Sequence, residues 1–481
     1  MVRVRTGHTI GTYFVTLLVT YSFFAVTPAA AKEDLLQQQL KRIQKQTEVG
    51  AVSYALVEND NIIATGGIGT YALDDARPVT ENSRFRVGSI TKTFTAVAVM
   101  HLIEQSKLRL DQALKNIARD LPLDNPWPKT PVTLEMLLEH TAGLQDLTRE
   151  EFDYPVPLSL EQAFKLKPEA RKLQWQPGYH YSYTNVGAGY TGRVIETVTG
   201  EDYDNWFERE ILGAMGMRDS QLHWTKALEE SLVTGYDADL KTEIPYWHTL
   251  FRPFGGLNTT ARDMANFLLL FTNESKTKNQ LISASNIEKM ETPKTSLAAR
   301  AGLKTGYGLG LRNTFFKGHR IYGHGGDGDG YLAEFAYSKE THRGYFIAIN
   351  AFRHDLLEDF TEPLNDWLIG GLEKTDKPKH DSTIKPLSKN KRLAILGDYQ
   401  EITVRFPFNA DAKAEILRVK LVDEELYRCF PRLEKCTKIL PITEALFRTD
   451  EEPDASMALI KAEDGCLYLQ TGWNILISAD S

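Results

Sequence analysis

Ser89-Ile90-Thr91-Lys92 stands immediately before an apolar run. A serine and a lysine three residues apart at a helix start lie on one face, about one turn from each other. The lysine then takes the hydroxyl proton while the serine oxygen faces the positive end of the helix dipole. This arrangement suits a nucleophilic serine that works without a histidine base. The same tetrad recurs at Ser275-Lys276-Thr277-Lys278 and at Ser388-Lys389-Asn390-Lys391. Both of those lie in polar stretches without apolar periodicity and read as solvated loop. After Ser89 come Phe94, Val97, Ala98, Met100, Leu102 and Ile103, dense enough for a buried helix. A serine there is also a favoured N-cap, so the tetrad needs partners elsewhere in the chain.

Two further clusters supply them. Tyr183-Thr184-Asn185 follows the turn Gln176-Pro177-Gly178. A tyrosine held near cations can act as phenolate or proton shuttle, and Asn185 can orient substrate and Lys92. Tyr203-Asp204-Asn205 has the same spacing, but Tyr203, Trp206, Phe207, Ile211 and Leu212 make one helical apolar face, so Tyr203 reads as packing. His324-Gly325-Gly326 precedes Asp327 and an expected strand at Tyr331; glycines there let a substrate backbone lie against the strand. Lys304-Thr305-Gly306 competes for this third role, but a strand-like run, Tyr307 to Leu311, follows it well ahead of the last hairpin, and it reads as coincidence. A cation loop through Asp327 and Asp329 lacks the spaced oxygen ligands of a calcium site. No Cys/His spacing resembles zinc ligation, and no metal or cofactor is expected.

The elements that must position these groups follow from periodicity. Glu33 to Thr47 reads as a polar-faced helix. Val52 to Val57 and Ile62 to Gly66 flank Glu58-Asn59-Asp60-Asn61 as a hairpin. Tyr331 to Tyr337 and Gly344 to Asn350 form a second strand pair, and Asp355 to Ile369 a closing helix. Strands, then helices, then strands imply an α+β domain with an antiparallel sheet. The composition turns to Lys, Asp, Pro, Ser and Thr between Gly371 and Asn390, the signature of a linker. Beyond it, short runs such as Glu401 to Phe406, Ala414 to Val422, Met457 to Lys461 and Leu467 to Gln470 suggest a small all-β barrel or sandwich. The expected organisation is a leader over 1–31, a domain over 32–372, a linker over 373–391 and an all-β domain over 392–481.

Arg3 and Arg5, the mostly apolar stretch Ile10 to Val26, and Ala29-Ala30-Ala31 read as a secretory signal cut after Ala31. The competing reading is an uncleaved anchor. Export implies a periplasmic or secreted protein, with no membrane span left after cleavage. The formal charge of −8, with no basic block, argues against nucleic acid as a partner. Of the three cysteines, Cys429, Cys436 and Cys466, two can pair in an oxidising compartment and one is left over. Sequence does not say which.

Ser89-Ile90-Thr91-Lys92, Tyr183-Thr184-Asn185 and His324-Gly325-Gly326, in this order, resemble the three boxes of the serine β-lactamase-related family, which includes class C β-lactamases, DD-peptidases, D-aminopeptidases and certain esterases. Supporting stretches are similar to it as well: Leu137 to Leu144 (with His140, structural in the family), Gly255 to Asp263, and Tyr307 to Gly310. The resemblance covers roughly Gln37 to Leu372. It implies a sheet flanked by helices with an all-helical subdomain, and an acyl-enzyme mechanism. Ser89 would attack a carbonyl, with Lys92 and Tyr183 sharing the proton work. The N–H groups of Ser89 and Asp327 would form the oxyanion hole, while Asn185, His324, Gly325 and Gly326 bind substrate. No motif supplies the separate glutamate of class A deacylation, which favours a class C-like route. A histidine replaces the usual lysine of the third box, weakening the attraction for a substrate carboxylate. The implied partners are small-molecule or peptide substrates such as cell-wall fragments, β-lactams or short esters. The competing function is a penicillin-binding sensor with little turnover. In the wider family, C-terminal appendages resemble lipocalin-like barrels that cover or shape the site.

Overall fold

The computed structural model describes residues 28–152, 154–272, 281–370, 372, 384–403, 414–472 and 474–479. The leader through Thr27, the tetrad at Ser275 and most of the expected linker lie outside the described residues.

The first sheet contains β1 (Ala51–Glu58), β2 (Asn61–Gly69), β3 (Gly306–Tyr307), β4 (Arg312–Phe316), β5 (His319–Gly328), β6 (Tyr331–Ser338) and β7 (Arg343–Ile349). It is antiparallel throughout, in the order β2-β1-β7-β6-β5-β4-β3. Its central strands are buried on both faces. Val52, Tyr54, Leu56, Tyr345, Ile347 and Ile349 meet Leu36 and Leu40 of the helix Pro28–Thr47 and Leu357, Phe360 and Leu364 of the helix His354–Leu368. Ala51, Ala55, Val57, Phe335 and Phe346 face the helices Thr91–Glu104 and Ala261–Thr272, where Phe94 stacks on Phe267. This double burial is why β1 reads as a nearly continuous apolar run rather than an alternation. The expected strand over Tyr307 to Leu311 is shorter than its pattern. Only Gly306–Tyr307 pairs, and the left-handed Gly310 (φ 66°) turns the chain out of the ladder.

Between the early and late strands the chain builds a helical subdomain, including Leu134–Leu138, Leu160–Leu166, Val186–Thr199 and Tyr203–Phe207. Tyr203 is fully buried here and its hydroxyl lies 2.8 Å from Thr95 Oγ1, a packing residue as its helical face implied.

Among the described residues, nine short strands from Gly397–Glu401 to Ile475–Ser478 make a second sheet around a core of Tyr399, Leu417, Val419, Phe447, Leu469 and Leu476. Its two edges, Lys435–Lys438 and Leu440–Pro441, are consecutive in the chain. The sheet therefore curls into a nearly closed barrel, which leaves little unpaired edge. The expected strand at Glu401 runs instead from Gly397 to Glu401, and its continuation past Thr403 is outside the described residues. Cys429 and Cys436 sit directly opposite each other on neighbouring strands and form a disulfide, leaving Cys466 reduced.

One loop expectation fails. Ser388 caps a helix, Lys389–Ala394, by accepting the Lys391 N–H at 3.3 Å. A satisfied N-terminus holds this turn without an apolar stripe. The tetrad there is exposed and its serine is spent on capping.

Candidate active site

Ser89 sits in a 3-10 turn, Gly88–Ile90, that feeds the helix Thr91–Glu104. Residues Thr91 to Met100 are all buried, as expected for a helix apolar on every side. The turn is pinned from several directions. Gly88 adopts φ 47°, and a Cβ there would overlap the Asp327 backbone. The Thr91 hydroxyl donates to Gly88 O at 2.7 Å and accepts the Leu257 N–H at 3.2 Å. A Cβ on Gly326 would overlap the Val87 carbonyl. Glycines 88 and 326 thus let β5 lie directly against the serine turn. The competing reading of Ser89 as a helix cap is not realised, because no side-chain cap bond forms at this helix start.

Lys92 is 3% exposed. Its Nζ lies 2.9 Å from Ser89 Oγ, 2.8 Å from Asn185 Oδ1 and 3.1 Å from Phe254 O. The last two partners are carbonyl oxygens, which only accept. In its neutral form the amine would give both N–H bonds to these oxygens and turn its lone pair to the Ser89 hydroxyl. That is the geometry of a base.

Tyr183 presents its ring to the same amine, with Nζ 4.8 Å from the ring centroid. The loop carrying it is fixed by residues that the sequence did not single out for this purpose. Asp146 Oδ1 accepts the Asn185 N–H at 2.7 Å and the Thr184 hydroxyl at 3.2 Å. His140, in the left-handed region at φ 55°, accepts the Ser182 N–H on its carbonyl at 2.8 Å and the Thr184 N–H on Nδ1 at 3.3 Å. Its ring packs 4.2 Å from that of Tyr183. The structural role implied for His140 thus has a specific object, the tyrosine loop. Asp146 carried no signal in the sequence beyond being an acid near a turn.

His324 projects from β5 behind Tyr183, the ring centroids 6.4 Å apart. It is 3% exposed. Its Nδ1 lies 2.5 Å from Gly325 O and its Nε2 2.8 Å from Tyr307 Oη. A carbonyl can only accept, so Nδ1 carries the proton and Nε2 receives the Tyr307 hydroxyl hydrogen. Burial, with the Arg312 guanidinium nearby, holds the imidazole pKa well below its usual value. His324 is neutral at pH 7. The competing Lys304-Thr305-Gly306 faces the barrel instead, where Thr305 Oγ1 donates to Ala455 O at 2.7 Å.

Asp327 completes the group through its backbone. Gly328 and Tyr331 close a two-residue hairpin, and Asp327 pairs with Leu332. Ladder bonds alternate, so the Asp327 N–H and C=O point away from β6, toward the serine turn that Gly88 brings against them. Beside this strand end, Trp247 Nε1 donates to Asp329 O at 3.4 Å, and the buried Arg86 guanidinium lies 3.8 Å from the Trp247 ring centroid. Sequence reasoning did not anticipate this aromatic wall.

The β-lactamase family model matches residues 36–363. The chain belongs to the β-lactamase family. It is 25% identical over 313 residues to penicillin-binding protein 4 of Amycolatopsis lactamdurans, covering 63% of this chain and 80% of that one. It is 29% identical over 157 residues to the lovastatin esterase of Penicillium rubens, covering 28% of this chain and 39% of that one. Among solved structures, the octameric penicillin-binding protein homologue from Pyrococcus abyssi aligns with 93% of this chain and 100% of its own, at TM-score 0.61 and 22% identity. A class C β-lactamase aligns with 72% of this chain and 97% of its own, at TM-score 0.59 and 19% identity. The α+β architecture expected from the sequence is therefore the β-lactamase fold, with the barrel appended, and the chain is a β-lactamase-family serine hydrolase.

Proposed function

We propose that this hydrolase forms an acyl-enzyme on Ser89 from ester or amide substrates and does not require a carboxylate on the leaving group. One observation supports the nucleophile above the rest: Lys92 spends two hydrogen bonds on carbonyl oxygens and has Ser89 Oγ as its third neighbour. In the proposed reaction Lys92 removes the Ser89 proton as Oγ attacks the carbonyl carbon. The backbone N–H groups of Ser89 and Asp327 stabilise the oxyanion. Tyr183 returns a proton to the leaving oxygen or nitrogen, then takes one from the water that hydrolyses the ester linkage. Asn185 holds Lys92 on target, and the glycines of the third box admit substrate beside β5.

The leaving-group preference rests on His324. A neutral imidazole with both nitrogens engaged inside the protein supplies no charge to a carboxylate. Neutral esters and amides are the substrates we expect to be processed best, with β-lactams and D-alanyl peptides as poorer ones. Placement outside the cytoplasm is part of the proposal, supported by the leader pattern and by the Cys429–Cys436 disulfide.

The test uses two thioesters that share an acyl group, one releasing mercaptoacetate and the other its methyl ester. The neutral substrate should have the higher kcat/KM, and Ser89→Ala should hydrolyse neither. Preference for the anionic thioester would refute the assignment made to His324. Stoichiometric acylation without turnover would instead support a sensor.

A further inference from the structure

A cavity of about 420 Å³ lies between the barrel and the edge of the first sheet, away from Ser89, in the size range of small-molecule sites. Its most unusual wall is Arg428. On the strand Glu425–Phe430, Arg428 stands opposite Val419. Val419 and its neighbour Leu417 belong to the barrel core, as does Leu426. Because side chains alternate along a strand, Leu426, Arg428 and Phe430 form one inward row. A guanidinium therefore occupies a place where the pattern calls for an apolar side chain.

The residue is half-buried; its Nε is buried without a hydrogen-bond partner, and no ion pair to it is found among the described residues. Interior charges are ordinarily paired, because desolvating one alone is unfavourable. Two acids share the cavity wall, and both are held by the protein's own donors. Glu415 accepts from Asn474 Nδ2 at 2.9 Å. Glu452 accepts from the Thr449 N–H at 2.8 Å and from the Ser456 hydroxyl. Phe315, Leu417, Phe430 and Leu476 supply the apolar surface.

We infer that this cavity binds a small amphipathic carboxylate, its head paired with the Arg428 guanidinium and its apolar body lying against Phe430, Leu417 and Phe315. A guanidinium and a carboxylate match as a two-pronged pair. The ligand supplies a partner to the buried Nε that the fold leaves unsatisfied. The site is independent of the acyl-transfer reading, since Ser89, Lys92 and Tyr183 are not among the residues that line it.

Calorimetric titration of the full chain with octanoate and with octanol tests the assignment. Octanoate should bind at one site, at least tenfold more tightly than octanol, a comparison that needs no variant. Arg428→Met should weaken octanoate at least tenfold and leave ester hydrolysis unchanged, which also reports that the variant is folded. Arg428→Lys should bind with intermediate affinity. Failure of octanoate to bind, equal affinity for octanol, or undiminished octanoate binding by a folded Arg428→Met each overturns the inference.

Discussion

Replacing Lys92 by Met removes the amine while keeping most of the side-chain volume in a site that is 3% exposed. Two effects must be separated. The first is chemical: a positioned base contributes about 10²–10⁴ in rate, or about 3–5 kcal/mol of barrier at about 1.4 kcal/mol per tenfold. The second is structural. Asn185 Oδ1 and Phe254 O lose their lysine donor, and an unsatisfied buried acceptor costs about 1–3 kcal/mol. Relief of burying the amine offsets part of that, so the folded state should survive with a modestly lower Tm. Stopped-flow measurement of the p-nitrophenol burst from p-nitrophenyl acetate isolates acylation from later steps. The acylation rate should fall at least 100-fold in Lys92→Met while circular dichroism stays native. A rate within threefold of the parent, in a folded variant, would refute the assignment of Lys92 as base.

Three further outcomes are expected. Tyr183→Phe keeps the ring beside Lys92 but removes the hydroxyl, so kcat for ester hydrolysis should drop about 100-fold or more, with folding stability little changed; unimpaired turnover would exclude Tyr183 from proton transfer. Gly326→Ala drives a methyl into the Val87 carbonyl, costing about 1–3 kcal/mol of stability and about 10² in acylation through displacement of the serine turn, both readable from Tm and burst kinetics. His180, buried where the helical subdomain meets Tyr468 of the barrel at 4.6 Å between centroids, has its pKa pushed down to about 4 by burial. Below the unfolded value of about 6.5 the unfolded chain gains a proton that the folded one refuses, so the share of stability owed to neutral His180 is lost from pH 6.5 toward 4, about 3 kcal/mol. The buried carboxyls Glu139 and Asp204, whose pKa values burial raises to about 7 and about 6, trend the opposite way. Urea unfolding of parent and His180→Phe across that range isolates the histidine's share: the parent's stability minus the variant's should decline by about 3 kcal/mol from pH 6.5 to 4, and a difference that does not change with pH would refute it.

The residues proposed to carry the chemistry stood out in the sequence because each announced itself locally. Ser89 and Lys92 precede a dense apolar run, Tyr183 follows a proline-glycine turn, and His324 is followed by two glycines, of which Gly326 lets β5 pack on the serine turn. The groups that hold them were not legible. Asp146 and His140 act on the tyrosine loop from 38–44 residues upstream, and Tyr307 reaches His324 Nε2 from another strand of the sheet, contacts that depend on tertiary placement alone. The same limit explains Ser388, where capping decided a helix that periodicity did not show, and the cysteines, where strand register chose Cys436 over Cys466. The β character of the C-terminal region could be read from its alternating runs. Its near closure could not, since that depends on which short strands become edges.

The most direct test of the account is peptide-level mass spectrometry of protein quenched during turnover of a slow ester. The acyl mass should reside on Ser89 in the parent and accumulate further in Tyr183→Phe if acyl transfer outlasts hydrolysis. An acyl group mapped to any other residue, or steady turnover by Ser89→Ala, would contradict it.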